Sequence, residues 1–149
     1  MERQRKEELS MYYYIRDNLP SIVTMKDGFP PDELVLPTVS VEGGSYSDVM
    51  LELGNREGLR ERLWSIDVFA KNKPQREDLG ELIYNLFLPN QIVEVYDFEL
   101  GDEEPYPPQI GVLRVQSRNS ESIVVFRDLV EKLYWRRRIT IVTQYQDIF

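Results

Sequence analysis

The clearest hydrophobic pattern in the chain lies between Leu63 and Pro89. In its first half, apolar residues occupy every second position, which predicts a strand with one apolar face formed by Trp64, Ile66, Val68 and Ala70. In its second half, the apolar spacing is i, i+3, i+4 and i+7. This spacing predicts a helix from about Pro74 to Leu88 that lies against the strand and buries Leu79, Leu82, Ile83 and Leu86.

The remaining pattern predicts one further helix and several strands. A charged start followed by apolar and tyrosine residues predicts a helix over Glu2–Asn18. Alternating or β-branched residues predict strands at Ser21–Met25, Leu34–Val41, Asp48–Leu53, Ile92–Phe98, Ile110–Gln116, Ser122–Phe126 and Trp135–Tyr145. Two polar segments, Glu42–Ser45 and Ser117–Ser120, are typical of turns, and the second predicts a hairpin.

The order and number of these elements predict the fold class. Many strands with few helices favour an α+β fold with a mostly antiparallel β-sheet. We expect the N-terminal helix and the central amphipathic helix to pack on one face of that sheet. A length of 149 residues suits a single domain over residues 1–149.

Composition narrows the range of functions. The chain has neither cysteine nor histidine, which excludes disulfides, Ser-His and Cys-His nucleophiles and the commonest transition-metal ligands. We therefore expect a protein that is not an enzyme and has no cofactor. The N-terminus lacks the apolar run of a signal peptide, and no stretch approaches the ~20 apolar residues of a membrane span. We expect synthesis in the cytoplasm and no membrane partner.

Acidic residues offer two candidate sites, and neither has a specific pattern. The first is an acidic set that could attract a hard cation: Asp97, Glu99, Asp102, Glu103 and Glu104. Its spacing does not match a calcium-binding loop, and the flanking prolines favour a solvated turn, so no metal site is predicted. The second is Asp67 with Glu52, which could do acid–base chemistry if buried together on adjacent strands. Any acidic protein contains such pairs.

Tyrosine and arginine runs are the candidate contact residues. Tyr12, Tyr13 and Tyr14 point in three directions around a helix, so at least one ring should lie outside the core. Each is either a half-exposed tyrosine with a solvated hydroxyl or part of a subunit contact. On a strand, Arg136 and Arg138 would project to one side and Arg137 to the other. They either pair with nearby carboxylates or contact an acidic neighbour, which could be another copy of this chain.

The order of several segments resembles a known family. These segments are Leu36-Pro37-Thr38-Val39, Leu51-Glu52-Leu53-Gly54, Trp64–Lys71 running into Gln75-Arg76, Val95-Tyr96-Asp97-Phe98, and the terminal Arg-Ile-Thr-Ile strand. Over about Pro37 to Tyr145 the chain resembles the neck and tail-completion proteins of tailed bacteriophages, most closely the tail terminator group. No catalytic motif is part of this resemblance.

The resemblance implies a structural virion protein with defined neighbours. Such proteins are small α+β domains that assemble into a ring, usually a hexamer, at the head-proximal end of the tail tube. They terminate the tube and join it to the head connector or stopper, while DNA passes through the lumen without specific binding. The net charge of −8, from 26 acidic and 18 basic residues, suits a lumen that repels phosphates. Another neck component, such as a head-completion adaptor or stopper, is the alternative.

A closed ring needs two different patches that complement each other, and the sequence offers candidates. The basic residues Arg136 and Arg138 could meet an acidic loop formed by Asp102, Glu103 and Glu104. Apolar anchors for the same contact would be Trp135, Tyr134 and the run from Tyr12 to Tyr14. Two hypotheses from other classes remain: a small carboxylate-dependent metal enzyme, and a monomeric adaptor that binds a peptide along a sheet edge.

Overall fold

The computed structural model describes residues 2–28, 35–49, 59–100, 106–123 and 135–147. Within these residues it contains two helices and one six-stranded sheet. The elements in chain order are α1 (Arg3–Asp17), β1 (Thr24–Asp27), β2 (Thr38–Val49), β3 (Leu59–Phe69), α2 (Lys73–Leu86), β4 (Ile92–Tyr96), β5 (Gln109–Ile123) and β6 (Arg136–Asp147). The strand order across the sheet is β1-β2-β3-β6-β5-β4. The predicted α+β class is confirmed.

The direction of β1 corrects one part of the predicted fold. β1 and β2 run parallel, with Thr24 paired to Thr38 and Asp27 to Val41, whereas the other four neighbouring pairs run antiparallel. The sheet is therefore mixed, and the prediction of a mostly antiparallel sheet is wrong. A hydrophobic pattern indicates which side of a strand faces the core, but it carries no information on the direction of the neighbouring strand.

Two predicted turns lie inside long strands. β2 runs through Gly43 and Gly44, and its register against β3 shifts between Gly43 and Tyr46. β5 runs through Ser117–Ser120, with a register shift after Val115, and these polar residues pair with β6. The predicted hairpin between Ile110–Gln116 and Ser122–Phe126 is therefore wrong. Residues typical of turns also occur at β-bulges, where a strand takes up an extra residue and continues.

One buried cluster joins both helices to the sheet. Met11 and Ile15 of α1 and Ile83 of α2 belong to it and have no exposed surface. The sheet contributes alternate residues of its strands to the same cluster, namely Val39, Val41, Trp64, Ile66, Val68, Val93, Val95, Leu113, Val115, Ile139 and Ile141. The predicted alternation of β3 is confirmed. The Trp64 Nε1 also donates to the Thr143 hydroxyl at 2.9 Å, which satisfies the buried indole N–H.

Local residues determine where α2 starts, but they do not determine which side of the helix faces the core. The Asn72 side chain accepts a hydrogen bond from the backbone N–H of Gln75 at 2.9 Å and caps the helix next to a proline in its first turn. Ile83 is fully buried, whereas Leu82 is 38% exposed. The prediction that Leu82 is buried is therefore wrong. The buried side of α2 follows Leu79, Ile83 and then Phe87, which lies just after the helix end.

A buried arginine connects β3 to α1. Arg62 is 3% exposed, and its Nη2 donates to the Glu8 Oε1 at 2.6 Å. Its Nη1 donates to the Gln4 carbonyl at 3.1 Å, and its guanidinium carbon lies 4.4 Å from the centre of the Trp64 ring. A β-carbon at Gly43 would lie 2.4 Å from Nη2. The glycine at the β2 bulge therefore provides the space that Arg62 occupies.

We expect Gly43→Ala to lower the free energy of unfolding by about 1–3 kcal/mol, the usual cost of overpacking a buried site. Arg62 cannot move aside without weakening its bonds to Glu8 and Gln4. Urea unfolding followed by circular dichroism measures the loss. The same substitution in an Arg62→Met background is the control, because there the loss should shrink. An equal loss in both backgrounds would show that the cost has another origin.

Candidate functional site

Arg136 and Arg138 share one carboxylate within the chain. They lie on the opposite side of β6 from Arg137, as predicted, because side chains alternate along a strand. The Asp67 Oδ1 accepts from Arg136 Nε at 3.2 Å and Nη2 at 3.1 Å, and from Arg138 Nε at 3.1 Å. Asp67 and Arg136 are 4% and 9% exposed, whereas Arg138 is half-buried. The two arginines thus contact an acid of the same subunit.

The contacts of Asp67 bear on the predicted acid–base pair. The strand register places Asp67 directly opposite Arg138 of β6, with Ser40 of β2 on its other side. Its hydrogen-bond partners are guanidinium groups, so it acts as an ion-pair partner that fixes β6 against β3. Glu52, the other member of the predicted pair, lies outside the described residues.

Arg137 ties the other side of β6 to α2. Its Nη1 lies 3.1 Å from the Glu77 Oε2, and its Nε donates to the Ser120 hydroxyl of β5 at 2.7 Å. The guanidinium groups of Arg76 and Arg137 lower the pKa of Glu77 below its ordinary value. A β-carbon at Gly80 would lie 2.4 Å from the Arg137 Cδ, so this glycine lets the arginine side chain pass. The basic triplet therefore acts inside the subunit on both sides of the strand.

An aromatic pocket lies between α1 and β4, the strand at one end of the sheet. Its volume is about 380 Å³, within the usual range for ligand-binding sites. Its described lining residues come from three separate segments and define what we call the tyrosine pocket: Ser10, Tyr13, Tyr14, Asp17, Asn18, Ile92, Glu94, Tyr96 and Tyr106. None of these residues is a lysine or an arginine.

Ring contacts and hydrogen bonds fix the walls of the tyrosine pocket. Tyr96 and Tyr106 stack with centroids 4.8 Å apart and planes at 11°. Tyr13 packs against Phe98 at 5.4 Å. The Tyr14 hydroxyl donates to the Leu86 carbonyl at 3.0 Å, which joins α1 to the end of α2. The walls are therefore held by contacts within the subunit and need no ligand to form.

Two carboxylates accept hydrogen bonds from the pocket's tyrosines. The Tyr96 hydroxyl donates to Glu94, and the Tyr106 hydroxyl donates to Asp17. Burial, together with the hydrogen bond to Glu94, raises the pKa of Tyr96 to about 12. Next to the pocket, Arg16 pairs with the Asp17 Oδ1 at 3.1 Å and lies 4.5 Å from the centre of the Tyr13 ring. The pocket is thus aromatic and acidic.

We expect alkaline pH to destabilise the fold partly through Tyr96. An unfolded tyrosine loses its proton near pH 10.0, whereas folded Tyr96 keeps its proton up to about pH 12. The contribution of Tyr96 to stability is therefore complete below pH 10 and is lost as the pH rises to about 12. Melting temperatures measured between pH 8 and pH 12 check this.

Two variants separate the causes of this pH dependence. In Tyr96→Phe, the fall in melting temperature above pH 10 should be shallower than in the wild type. Glu94→Gln should give an intermediate slope, because it removes the carboxylate but leaves the burial. A Tyr96→Phe variant with the wild-type slope would contradict the assignment to Tyr96.

The side chains of Tyr12, Tyr13 and Tyr14 point in different directions around α1, as predicted for consecutive residues of a helix. All three are half-buried. Tyr13 and Tyr14 line the tyrosine pocket, whereas Tyr12 lines a second pocket with Leu19 and Met25 near the start of β1. Half-exposed rings of this kind agree with both alternatives, a tyrosine whose hydroxyl is solvated and a tyrosine that takes part in a subunit contact.

The other predicted contact residues are only partly described. Trp135, just before β6, is half-buried, and the guanidinium carbon of Arg76 lies 5.3 Å from the centre of its ring. The remaining members, Asp102, Glu103, Glu104 and Tyr134, lie outside the described residues.

Tyr96 and Tyr106 were not predicted to be members of a site. The period of two along β4 places Ile92, Glu94 and Tyr96 on one side of that strand, a signal that could have predicted one wall of the pocket. Tyr106 lies in a proline-rich segment, where no periodicity predicts a contact.

The first two residues of the predicted acidic set bind a lysine. The Lys6 Nζ lies 3.0 Å from the Asp97 Oδ1 and 3.5 Å from the Glu99 Oε2. The hydrogen bond to Asp97 raises the pKa of Lys6, and Lys6 lowers the pKa of Asp97. Among the described residues, no group of three or more acidic side chains is arranged to hold a metal ion. Asp97 and Glu99 therefore anchor α1 to the chain after β4.

No protein-family model matches the chain, and no curated protein matches its sequence. Within the part of the chain that the structure describes, neither helix is long and apolar enough to cross a membrane.

Proposed function

We propose that the chain is a structural subunit of a tailed-phage neck, which forms a ring at the head–tail junction, terminates the tail tube and joins it to the head connector. The resemblance to tail terminators is the origin of this proposal. In the proposed ring, the two helices of each subunit cover one face of its sheet, and neighbouring subunits meet through the remaining surfaces.

The observation that carries the proposal is the set of tyrosines on α1: Tyr13 and Tyr14 form a surface beside the end strand β4, and Tyr12 lies near the start of β1. Tyrosine combines a large apolar ring with a polar tip, which is why it is enriched where proteins meet. Tyr12, Tyr13 and Tyr14 remain half-buried in the single subunit, so each ring has surface left for a neighbour. Ile92 on the adjacent strand is 41% exposed and extends this surface.

The ion pairs favour a structural protein over a carboxylate-dependent enzyme. Catalytic carboxylates must be able to exchange protons or bind a metal during the reaction. The buried carboxylate of Asp67 instead accepts hydrogen bonds from two arginines, and Glu77 and Asp97 also pair with basic side chains of the same subunit. These pairs join secondary-structure elements to each other.

The open sheet suits a ring because its two ends differ. One end is the short parallel strand β1, and the other is the antiparallel strand β4 with the tyrosine pocket. A closed ring of more than two copies joins two unlike surfaces of the subunit, so unlike ends are compatible with it. The proposed charged pair between copies joins half-buried Arg138, on the side of β6 that faces away from α2, to the acidic residues Asp102, Glu103 and Glu104. Such a pair would set the register more than the affinity.

The mass of the purified protein in solution tests the proposal. Light scattering across a range of concentrations should give a multiple of the 17.7 kDa subunit, with six copies as the expected ring. Electron microscopy of the same sample should show a central opening. A subunit that stays monomeric and also fails to cap purified tail tubes would overturn the proposal. Cryo-electron microscopy of the virion neck distinguishes a terminator, which contacts the tail tube, from a head-completion adaptor or stopper, which does not.

A further inference from the structure

We propose that the tyrosine pocket binds an arginine side chain carried by an extended segment of a partner protein. The pocket is built within one subunit, between α1, β4 and Tyr106. The inference goes beyond the ring proposal and shares Tyr13, Tyr14 and Ile92 with the surface proposed there.

Charge is the first reason for an arginine ligand. Two carboxylates, Asp17 and Glu94, line the pocket, and its described lining residues include no basic side chain. Asp17 already pairs with Arg16, but within the described residues no lysine or arginine pairs with Glu94. One Glu94 oxygen accepts from Tyr96, which leaves the other oxygen to accept from a ligand cation. A ligand cation could therefore bind to the Glu94 carboxylate, which the Tyr96 hydroxyl holds in position.

Aromatic rings are the second reason, and they favour guanidinium over ammonium. A planar guanidinium can stack on a tyrosine ring while it donates to a carboxylate, a combination that a lysine ammonium does not reproduce. The chain itself shows this combination beside the pocket, where Arg16 covers the Tyr13 ring at 4.5 Å and pairs with Asp17 at 3.1 Å. Arg118 lies 3.8 Å from the centre of the Tyr84 ring, a second instance of an arginine on a tyrosine.

The position of the pocket beside β4 favours an extended peptide as the carrier of the arginine. Among the described strands, β4 has a neighbour on one side only, β5. On its other side the Tyr96 backbone N–H donates to the Ser10 hydroxyl at 3.1 Å, so α1 closes this side near Tyr96. Toward the Ile92 end, a peptide lying along β4 would bring every second side chain to the pocket.

The test uses two peptides that differ only in charge. The full chain, ¹³C-labelled at its tyrosine rings, is titrated by NMR with acetyl-Ser-Gly-Arg-Gly-Ser-amide and with the same peptide carrying citrulline in place of arginine. We expect the arginine peptide to shift the ring signals of Tyr96 and Tyr106. The citrulline peptide should bind about tenfold more weakly, because it lacks the cation that the rings and Glu94 attract.

Variants, and a third peptide with lysine in place of arginine, make the test specific to the pocket. Glu94→Gln should weaken binding of the arginine peptide about two- to fivefold, as expected for an exposed ion pair. Glu81→Gln is the matched control, because Glu81 is an exposed carboxylate of α2 that lines a different pocket, and it should leave the affinity unchanged. Equal binding of the citrulline or lysine peptide, an unaffected Glu94→Gln variant, or shifts at Tyr84 instead of Tyr96 would each overturn the proposal.

Discussion

Replacing Ile83 with aspartate should unfold the domain, whereas the same replacement at the neighbouring Leu82 should leave it folded. Ile83 has no exposed surface and belongs to the cluster that joins α2 to the sheet, while Leu82 is 38% exposed. An aspartate at position 83 would bury a carboxylate without a partner, which costs more than about 4 kcal/mol. This is a large part of the ~5–15 kcal/mol that stabilises a typical domain.

The two variants form a matched pair, since they introduce the same residue at adjacent positions of one helix. Far-UV circular dichroism and urea unfolding compare them with the wild type. Leu82→Asp should lose about 1–2 kcal/mol, from lower helix propensity and the loss of some apolar contact. If both variants unfold, or if neither does, the orientation of α2 in the structure is wrong.

Removal of the Asp67 carboxylate should destabilise the domain by about 3–5 kcal/mol, the usual loss when one partner of a buried ion pair is removed. In Asp67→Ala, Arg136 would keep its charge at 9% exposure without the carboxylate that it contacts at 3.1 Å. Chemical unfolding at neutral pH measures the loss.

Two further variants show whether the loss comes from the arginines that no longer contact this carboxylate. Arg138→Gln alone should cost at most about 1 kcal/mol, because this side chain is partly solvated and screened. Asp67→Ala combined with Arg136→Met should be more stable than Asp67→Ala alone, because the buried charge is gone. A double variant no more stable than the single one would indicate that Asp67 acts by some means other than pairing with Arg136.

The elements that the sequence predicted well are those whose pattern is local. The apolar face of β3, the approximate start of α2 and the length of α1 each follow from residues within a few positions of one another. The errors occur where distant residues decide. Ser117–Ser120 have turn-forming side chains, yet pairing with β6 keeps them in β5. α2 is oriented so that Leu82 is exposed and Gly80 faces the sheet. Because Gly80 has no side chain, Arg137 of β6 can pass beside it.

The candidate sites show the same division. The alternation of Arg136, Arg137 and Arg138 follows from strand geometry alone and was predicted. Their partners depend on the register of β6 against β3 and on the position of α2, which no local pattern contains. The tyrosine pocket brings α1 next to β4 and Tyr106, which lie far from that helix in the sequence. Only the two tyrosines of α1 that line it, Tyr13 and Tyr14, were singled out beforehand.

The position of β6 in the sheet has a consequence for how the chain folds. In the described part of the chain, the strands β1, β2 and β3 form one set of neighbours and β4 with β5 form another, and only β6 pairs with both sets. β6 follows all five of these strands in the sequence, so the sheet remains in two separate pieces until β6 inserts between them. Before that step, β3 and β5 each present a long unpaired edge, the feature that promotes strand-to-strand aggregation of incomplete chains. Insertion of β6 therefore completes the sheet and removes both of these edges in one event.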